Sequence, residues 1–128
     1  MVNKYKKLIS YSISAVKYSY SPYSKFKVGC ALLTSNNKIF TGSNVENASY
    51  SLTICAERAA AVKAISEGNS KFQAVAIATN KKKIAFPCGA CLQFLTEFSD
   101  NLTVILVKSE TDYEIFKLKD LLPKIFKF

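Results

Sequence analysis

Cys55-Ala56-Glu57-Arg58 opens one alanine-rich run, and Pro87-Cys88-Gly89-Ala90-Cys91 opens another some thirty residues further on. Three thiols and one carboxylate near the starts of two helices are suited to a zinc centre with its own proton carrier. In Cys88-x-x-Cys91 the sulfurs fall one helical turn apart on the same side, and a helix N-terminus favours thiolate over thiol. That pair alone is ambiguous, because CxxC also marks redox motifs and structural zinc knuckles. The redox motif lacks its β-α context near the N-terminus here. A structural four-ligand site would need Cys30, which lies inside the apolar run Val28-Gly29-Cys30-Ala31-Leu32-Leu33 and reads as a small packed core residue. Three protein ligands are the number for a catalytic zinc that keeps one position open. An open position calls for a proton handler, and Glu57 follows the first ligand by two residues. Considered without its neighbours, Glu57 would be only a first-turn acid complementing the helix dipole.

Composition narrows the choices further. The chain of 128 residues has no histidine, which removes Ser-His-Asp triads, Cys-His proteases, HExxH metalloproteases and histidine bases. Acid–base work falls to carboxylates and soft metal ligation to cysteines. The net charge is +9, yet the lysines are scattered singly apart from Lys81-Lys82-Lys83, which describes a solvated surface better than a nucleic-acid groove. Arg58 is the only arginine among 18 basic residues, and its place beside Glu57 points to a need for the planar guanidinium fork. No stretch approaches eighteen consecutive apolar residues, so no membrane span is expected. The basic start, Met1 to Lys7, is followed by residues too polar for a secretion signal. Cytoplasmic thiols are the expectation for the four cysteines.

The elements that must position these groups form one domain, residues 1–128. Leu8, Ile9, Ile13 and Val16 recur at helical spacing and predict an amphipathic helix over 4–18, stopped by Ser21-Pro22. Strands are predicted over 28–34 and 39–44, joined by a turn at Ser35-Asn36-Asn37-Lys38, with a loop over 45–53. A helix over 55–67, closed by Gly68, leads to a strand over 73–79. Pro87 sits where a helix begins, and residues 89–98 are predicted to form that helix. A buried strand over 102–107, an edge strand over 113–116 and a short helix over 118–122 complete the chain. The order α-β-β-α-β-α-β-β-α implies an α/β fold, a three-layer α-β-α arrangement with a mixed sheet of about five strands.

Cys-x-Glu followed by Pro-Cys-x-x-Cys is the deaminase signature, with cysteine in place of the usual histidine as first ligand. Together with Tyr23-Ser24-Lys25-Phe26-Lys27-Val28-Gly29, Asn44-Val45-Glu46-Asn47-Ala48 and Gln93, these segments make the chain resemble the homotetrameric cytidine deaminases over nearly its whole length. The resemblance implies a cytidine deaminase-like fold and one zinc per subunit on Cys55, Cys88 and Cys91. It implies hydrolysis of cytidine and deoxycytidine to uridine and deoxyuridine, with zinc-bound hydroxide attacking C4, Glu57 shuttling protons and ammonia leaving, in pyrimidine salvage. It also implies that Asn44 and Glu46 hold the sugar 3′-hydroxyl, that Phe26 packs on the pyrimidine and that the Ala56 N–H serves the base carbonyl. Phe126 would reach a neighbouring subunit's site, so that active sites are shared in a homotetramer. Arg58 would withdraw charge from the ligand sulfurs, since zinc with three thiolates is formally −1.

Leu92 and Phe86 depart from the family pattern, which has arginine after PCGxC and a small residue before its proline. Neither position supplies a ligand, and the Phe86 carbonyl stays available to the leaving amine. Two alternatives remain. One is a related zinc deaminase acting on a nucleoside antibiotic or an RNA base; the other is a zinc-stabilised nucleic-acid-binding module, which would have no use for Glu57.

Overall fold

The computed structural model describes residues 2–128, with side chains from Tyr5 onward; Met1 of the basic start lies outside the described residues. Helix α1 spans Val2–Ala15 and strands β1 and β2 span Val28–Thr34 and Ile39–Ser43. Helix α2 (Ala56–Ser66) precedes β3 (Phe72–Thr79), and α3 (Gly89–Thr96) precedes β4 (Thr103–Val107). Strand β5 (Tyr113–Lys117) and helix α4 (Leu118–Leu121) follow. The sheet runs β2-β1-β3-β4-β5, with β3 and β4 parallel and every other neighbouring pair antiparallel. This is the expected α/β, three-layer arrangement with a mixed five-stranded sheet.

Strand alternation divides the core in two. Cys30, Leu32, Val75, Ile77, Val104 and Leu106 face α2, α3 and α4, where Ala60, Ala61, Ala64, Leu92 and Leu95 cover them. Ala31, Leu33, Ala74, Ala76, Ala78, Ile105 and Val107 face α1, which meets them with Leu8 and Ile9. Small residues on that side let a single helix lie close to the sheet. Cys30 is fully buried, as a packed core residue should be.

Two glycines carry the closest helix–sheet approaches. A Cβ on Gly42 of β2 would stand 2.5 Å from the Ala56 carbonyl oxygen and 2.5 Å from the Ala60 nitrogen, inside the first turns of α2. A Cβ on Gly29 of β1 would meet the Ser12 carbonyl oxygen of α1 at 2.3 Å. At the far end of α2, Gly68 has φ +93°. Its N–H donates to Ile65 and the Asn69 N–H to Ala64, so the last carbonyls of the helix are satisfied by a left-handed C-terminal turn.

Several boundaries differ from the sequence expectations. Helix α1 ends at Ala15, and residues 16–18 tighten into a 3-10 turn. A second 3-10 turn, Tyr50–Leu52, lies inside the expected loop. Pro87 does not occupy the first helical position. Cys88 is the N-cap of α3, so the proline stands one residue earlier and holds the incoming chain extended. Helix α3 also stops two residues short of the expected end, at Thr96.

Candidate active site

Cys55 and Cys88 are both N-caps, of α2 and α3, with extended backbones and no side-chain capping bond. Neither sulfur caps its own helix, and both turn to a shared point at which two helix N-termini converge. Cys91 follows one turn into α3. The Sγ atoms of Cys55 and Cys88 are 4.0 Å apart, those of Cys88 and Cys91 are 3.5 Å apart, and all three lie within 4.8 Å of one another. A tetrahedral zinc with bonds of about 2.3 Å needs sulfurs separated by about 3.8 Å, so the three cysteines fit that ion. Cys91 is buried, Cys55 is half-buried and Cys88 is exposed, a gradient that closes the cluster on the protein side and opens it on the other.

The cluster stabilises one thiolate, that of Cys55. Donation from the Cys91 thiol, then from Arg58, pulls Cys55 down to about 5 against the cost of burial. The same Cys55 contact, with burial, pushes Cys91 up. Arg58 Nη2 donates to Cys55 Sγ at 3.6 Å, and the Arg58 guanidinium is held charged by both Cys55 and Cys91. Its Nε is buried and has no hydrogen-bond partner among the described residues. The guanidinium is committed to the sulfurs rather than to a carboxylate.

Glu57 is 5% exposed at the second position of α2. Burial pushes its carboxyl up to about 7, helped by the Cys55 charge and opposed by its own backbone N–H and Arg58. It lines a cavity of about 210 Å³ together with Phe26, Asn44, Cys55, Ala56 and Cys88, walled by Val28, Ile77, Ala85 and Phe86. No other carboxylate lines it. Ala56 is the first helical residue, and its N–H is one of the orphan donors of a helix start.

Asn44 and Glu46 build the loop that forms the cavity's rim. Asn44 Oδ1 accepts from the Val28 N–H at 2.9 Å and from the Ser19 hydroxyl, and Nδ2 donates to the Phe26 carbonyl at 2.9 Å. One Nδ2 hydrogen remains unused. Glu46 accepts from the Tyr23 and Ser24 N–H groups at 3.0 and 3.1 Å and from the Ser24 hydroxyl, which holds its carboxyl below the usual range. Asn44 reaches the cavity, whereas Glu46 does not line it. Phe126 does not line it either; it is 69% exposed on the C-terminal tail.

Asn80 and Thr53 carry no mark in the sequence. Asn80 Nδ2 donates to the Lys25 carbonyl and its Oδ1 accepts from the Lys27 N–H, which clamps both sides of Phe26. Lys25, whose carbonyl accepts the first of these bonds, has φ +61°, an uncommon backbone for a non-glycine residue. Thr53 lines the cavity from the loop before Cys55. An asparagine just past a strand end is the only local signal for the first of these.

Residues 2–107 match the family described as the cytidine and deoxycytidylate deaminase zinc-binding region. The chain belongs to that family. A probable cytidine deaminase of Dictyostelium discoideum is 47% identical over 122 residues, covering 94% of this chain and 82% of its own. A cytidine deaminase of Sporosarcina psychrophila is 43% identical over 122 residues, covering 94% and 90%. The crystal structure of a cytidine deaminase from Burkholderia pseudomallei superimposes with a TM-score of 0.87 at 41% identity, covering 94% of this chain and 97% of that one. Within this deaminase family the two departures have structural explanations here. Leu92 is buried at 4% exposure in the core where α3 packs on the sheet. Phe86 is largely exposed at the cavity wall and packs on Phe116 of β5, with ring centroids 5.6 Å apart.

Proposed function

We propose that this deaminase hydrolyses cytidine and deoxycytidine to uridine and deoxyuridine with release of ammonia, in the salvage of pyrimidine nucleosides. The observation that carries the proposal is Glu57, the one carboxylate lining a cavity that Cys55 and Cys88 also line. Cys55, Cys88 and Cys91 would hold one zinc per subunit. When bound, zinc supplies Lewis acidity that makes a water molecule a competent nucleophile near neutral pH. Glu57 would carry one proton of that water to ring N3 and the second to the amino nitrogen, so that the C4–N bond breaks, the oxygen stays on C4 as the carbonyl and ammonia leaves. Its burial and raised pKa suit a group that must both accept and donate. The Ala56 N–H donates to the base carbonyl, and the Phe86 carbonyl accepts from the leaving amine. Phe26 covers the pyrimidine. Asn44, with its spare amide hydrogen, and Glu46 take the sugar 3′-hydroxyl.

Incubating the zinc-loaded protein with cytidine should release ammonia; no release from cytidine or deoxycytidine would overturn the proposal. Arg58→Gln is expected to lower turnover by about 10- to 100-fold while zinc is mostly retained, because the sulfurs then carry more charge and weaken the metal as an acid. Wild-type turnover in that variant, measured alongside zinc content, would remove this role.

Self-association to a homotetramer fits the exposed apolar residues Tyr18, Tyr20, Val45, Tyr50, Leu52 and Ile54 around the rim loops. Phe126, exposed and outside the cavity of its own chain, would reach that of a neighbour. Size-exclusion chromatography should give a tetramer, and a clean monomer would sink the shared site. Among the described residues no helix is long and apolar enough to cross a membrane. A metal site built wholly of thiolates is best kept in a reducing compartment, which supports a cytoplasmic location.

A further inference from the structure

Gln93 is the residue of the second cysteine motif that the chemistry leaves without a task. It sits on α3 two positions after Cys91, roughly 200° around the helix, so its side chain leaves α3 on the side away from the sulfurs. There it meets the C-terminal tail. Gln93 Nε2 donates to the Phe126 carbonyl at 3.2 Å, and the Phe126 N–H donates to Gln93 Oε1 at 3.0 Å. One amide side chain thus satisfies both backbone groups of one residue, as a neighbouring strand would. Among the described residues these are the only hydrogen bonds made by residues 123–128. Ile125 is partly buried beside them, while the Phe126 ring stays exposed and packs edge-on to Phe128 at 5.5 Å between centroids.

We propose that Gln93 is a positioning residue for the deamination reaction. It docks the tail on the helix that carries Cys88 and Cys91 and so presents the Phe126 ring to the active site of an adjacent copy. The inference rests on the proposed role of Phe126 in a shared site, and adds what holds that ring in place. The side-chain amide is required in kind as well as size. The clamp needs a donor and an acceptor together, which glutamine has and glutamate, ionised, lacks. Fixing the tail beforehand removes an ordering cost that substrate binding would otherwise meet, so the effect belongs in KM rather than in the proton transfers at Glu57.

The test is a double-mutant cycle on the zinc-loaded assembly, with kcat and KM for cytidine and amide exchange at Phe126. Gln93→Leu is expected to raise KM roughly tenfold with kcat within about twofold of wild type, and to speed exchange of the Phe126 N–H by roughly tenfold or more. Gln93→Glu, which keeps size and one acceptor, should show the same KM direction. In a Phe126→Ala background Gln93→Leu should add nothing, because the clamp acts through that ring. The same KM increase in both backgrounds, or none in either, overturns the positioning role. An unchanged KM in Phe126→Ala alone identifies failure of the shared-site reading, and with it the clamp's function. An inactive wild type overturns the proposed reaction itself.

Discussion

Glu57→Gln is expected to lower kcat for cytidine by on the order of 10³- to 10⁴-fold while leaving zinc content and the fold intact. The amide matches the carboxylate in volume, so the buried position at the start of α2 stays filled. What it cannot do is accept a proton. No second carboxylate lines the cavity and the chain has no histidine, so nothing nearby can take over the transfer. Zinc should remain because Cys55, Cys88 and Cys91 form the cluster without Glu57. The measurements are ammonia release under saturating cytidine and metal content of the purified variant. Turnover within about tenfold of wild type would remove Glu57 from the mechanism, since a general base is worth more than that. Loss of zinc in parallel would show that Glu57 supports the metal rather than the proton transfer.

Gly42→Ala should strongly destabilise the scaffold that carries the active site. The new Cβ would stand 2.5 Å from two backbone atoms of α2, closer than any carbon can rest, and neither atom is a side chain that can swing away. Helix α2 must lift from β2, opening contacts to a strand whose partner residue is the buried Cys30. The cost should be about 3 kcal/mol, a fall of roughly 10 °C in the melting midpoint. Because the atoms struck belong to Ala56 and Ala60, the displacement reaches Cys55 and Glu57, and zinc retention should fall as well. Gly89→Ala is the control. A Cβ there meets nothing within 4 Å, and alanine is the better helix former at the start of α3, so thermal stability should hold or rise slightly. Equal melting midpoints for wild type and Gly42→Ala would mean that α2 does not depend on this close approach.

The chemical centre was legible in the residues because metal and proton chemistry restrict residue type and spacing severely. Three cysteines and one glutamate within two short motifs, in a chain with no histidine, leave few workable centres, and both motifs sit where helices start, which a linear reading detects. The strand and helix order was legible for a similar reason: burial on both faces gives β1, β3 and β4 unbroken apolar runs, and Gly68 closes α2. The helix ends were less so. Pro87 is as compatible with the position before an N-cap as with the first helical position, and only the path of the chain into α3 separates the two.

Asn44 and Glu46 show where a linear reading stops. Their residue types suit sugar recognition, but their hydrogen bonds to Phe26, Val28, Tyr23 and Ser24 make them the frame of the rim loop too. A polar residue's partners lie across the fold, and sequence spacing carries no record of them. Asn80 holding Lys25 and Lys27, and Gln93 holding Phe126, are of the same kind. So is Gly42, whose lack of a side chain matters only because α2 passes over it.

What the sequence by itself determined is which groups are available for the chemistry, three sulfurs, a carboxylate and a guanidinium at two helix starts, because those depend on side-chain type and on spacing within one or two helical turns. Only the tertiary structure decided that two helix N-termini meet, that Glu57 and Asn44 face one cavity while Glu46 and Phe126 do not, and which residues hold Phe26 and the tail in place. Those outcomes depend on contacts between segments tens of residues apart, set by how helices and strands pack.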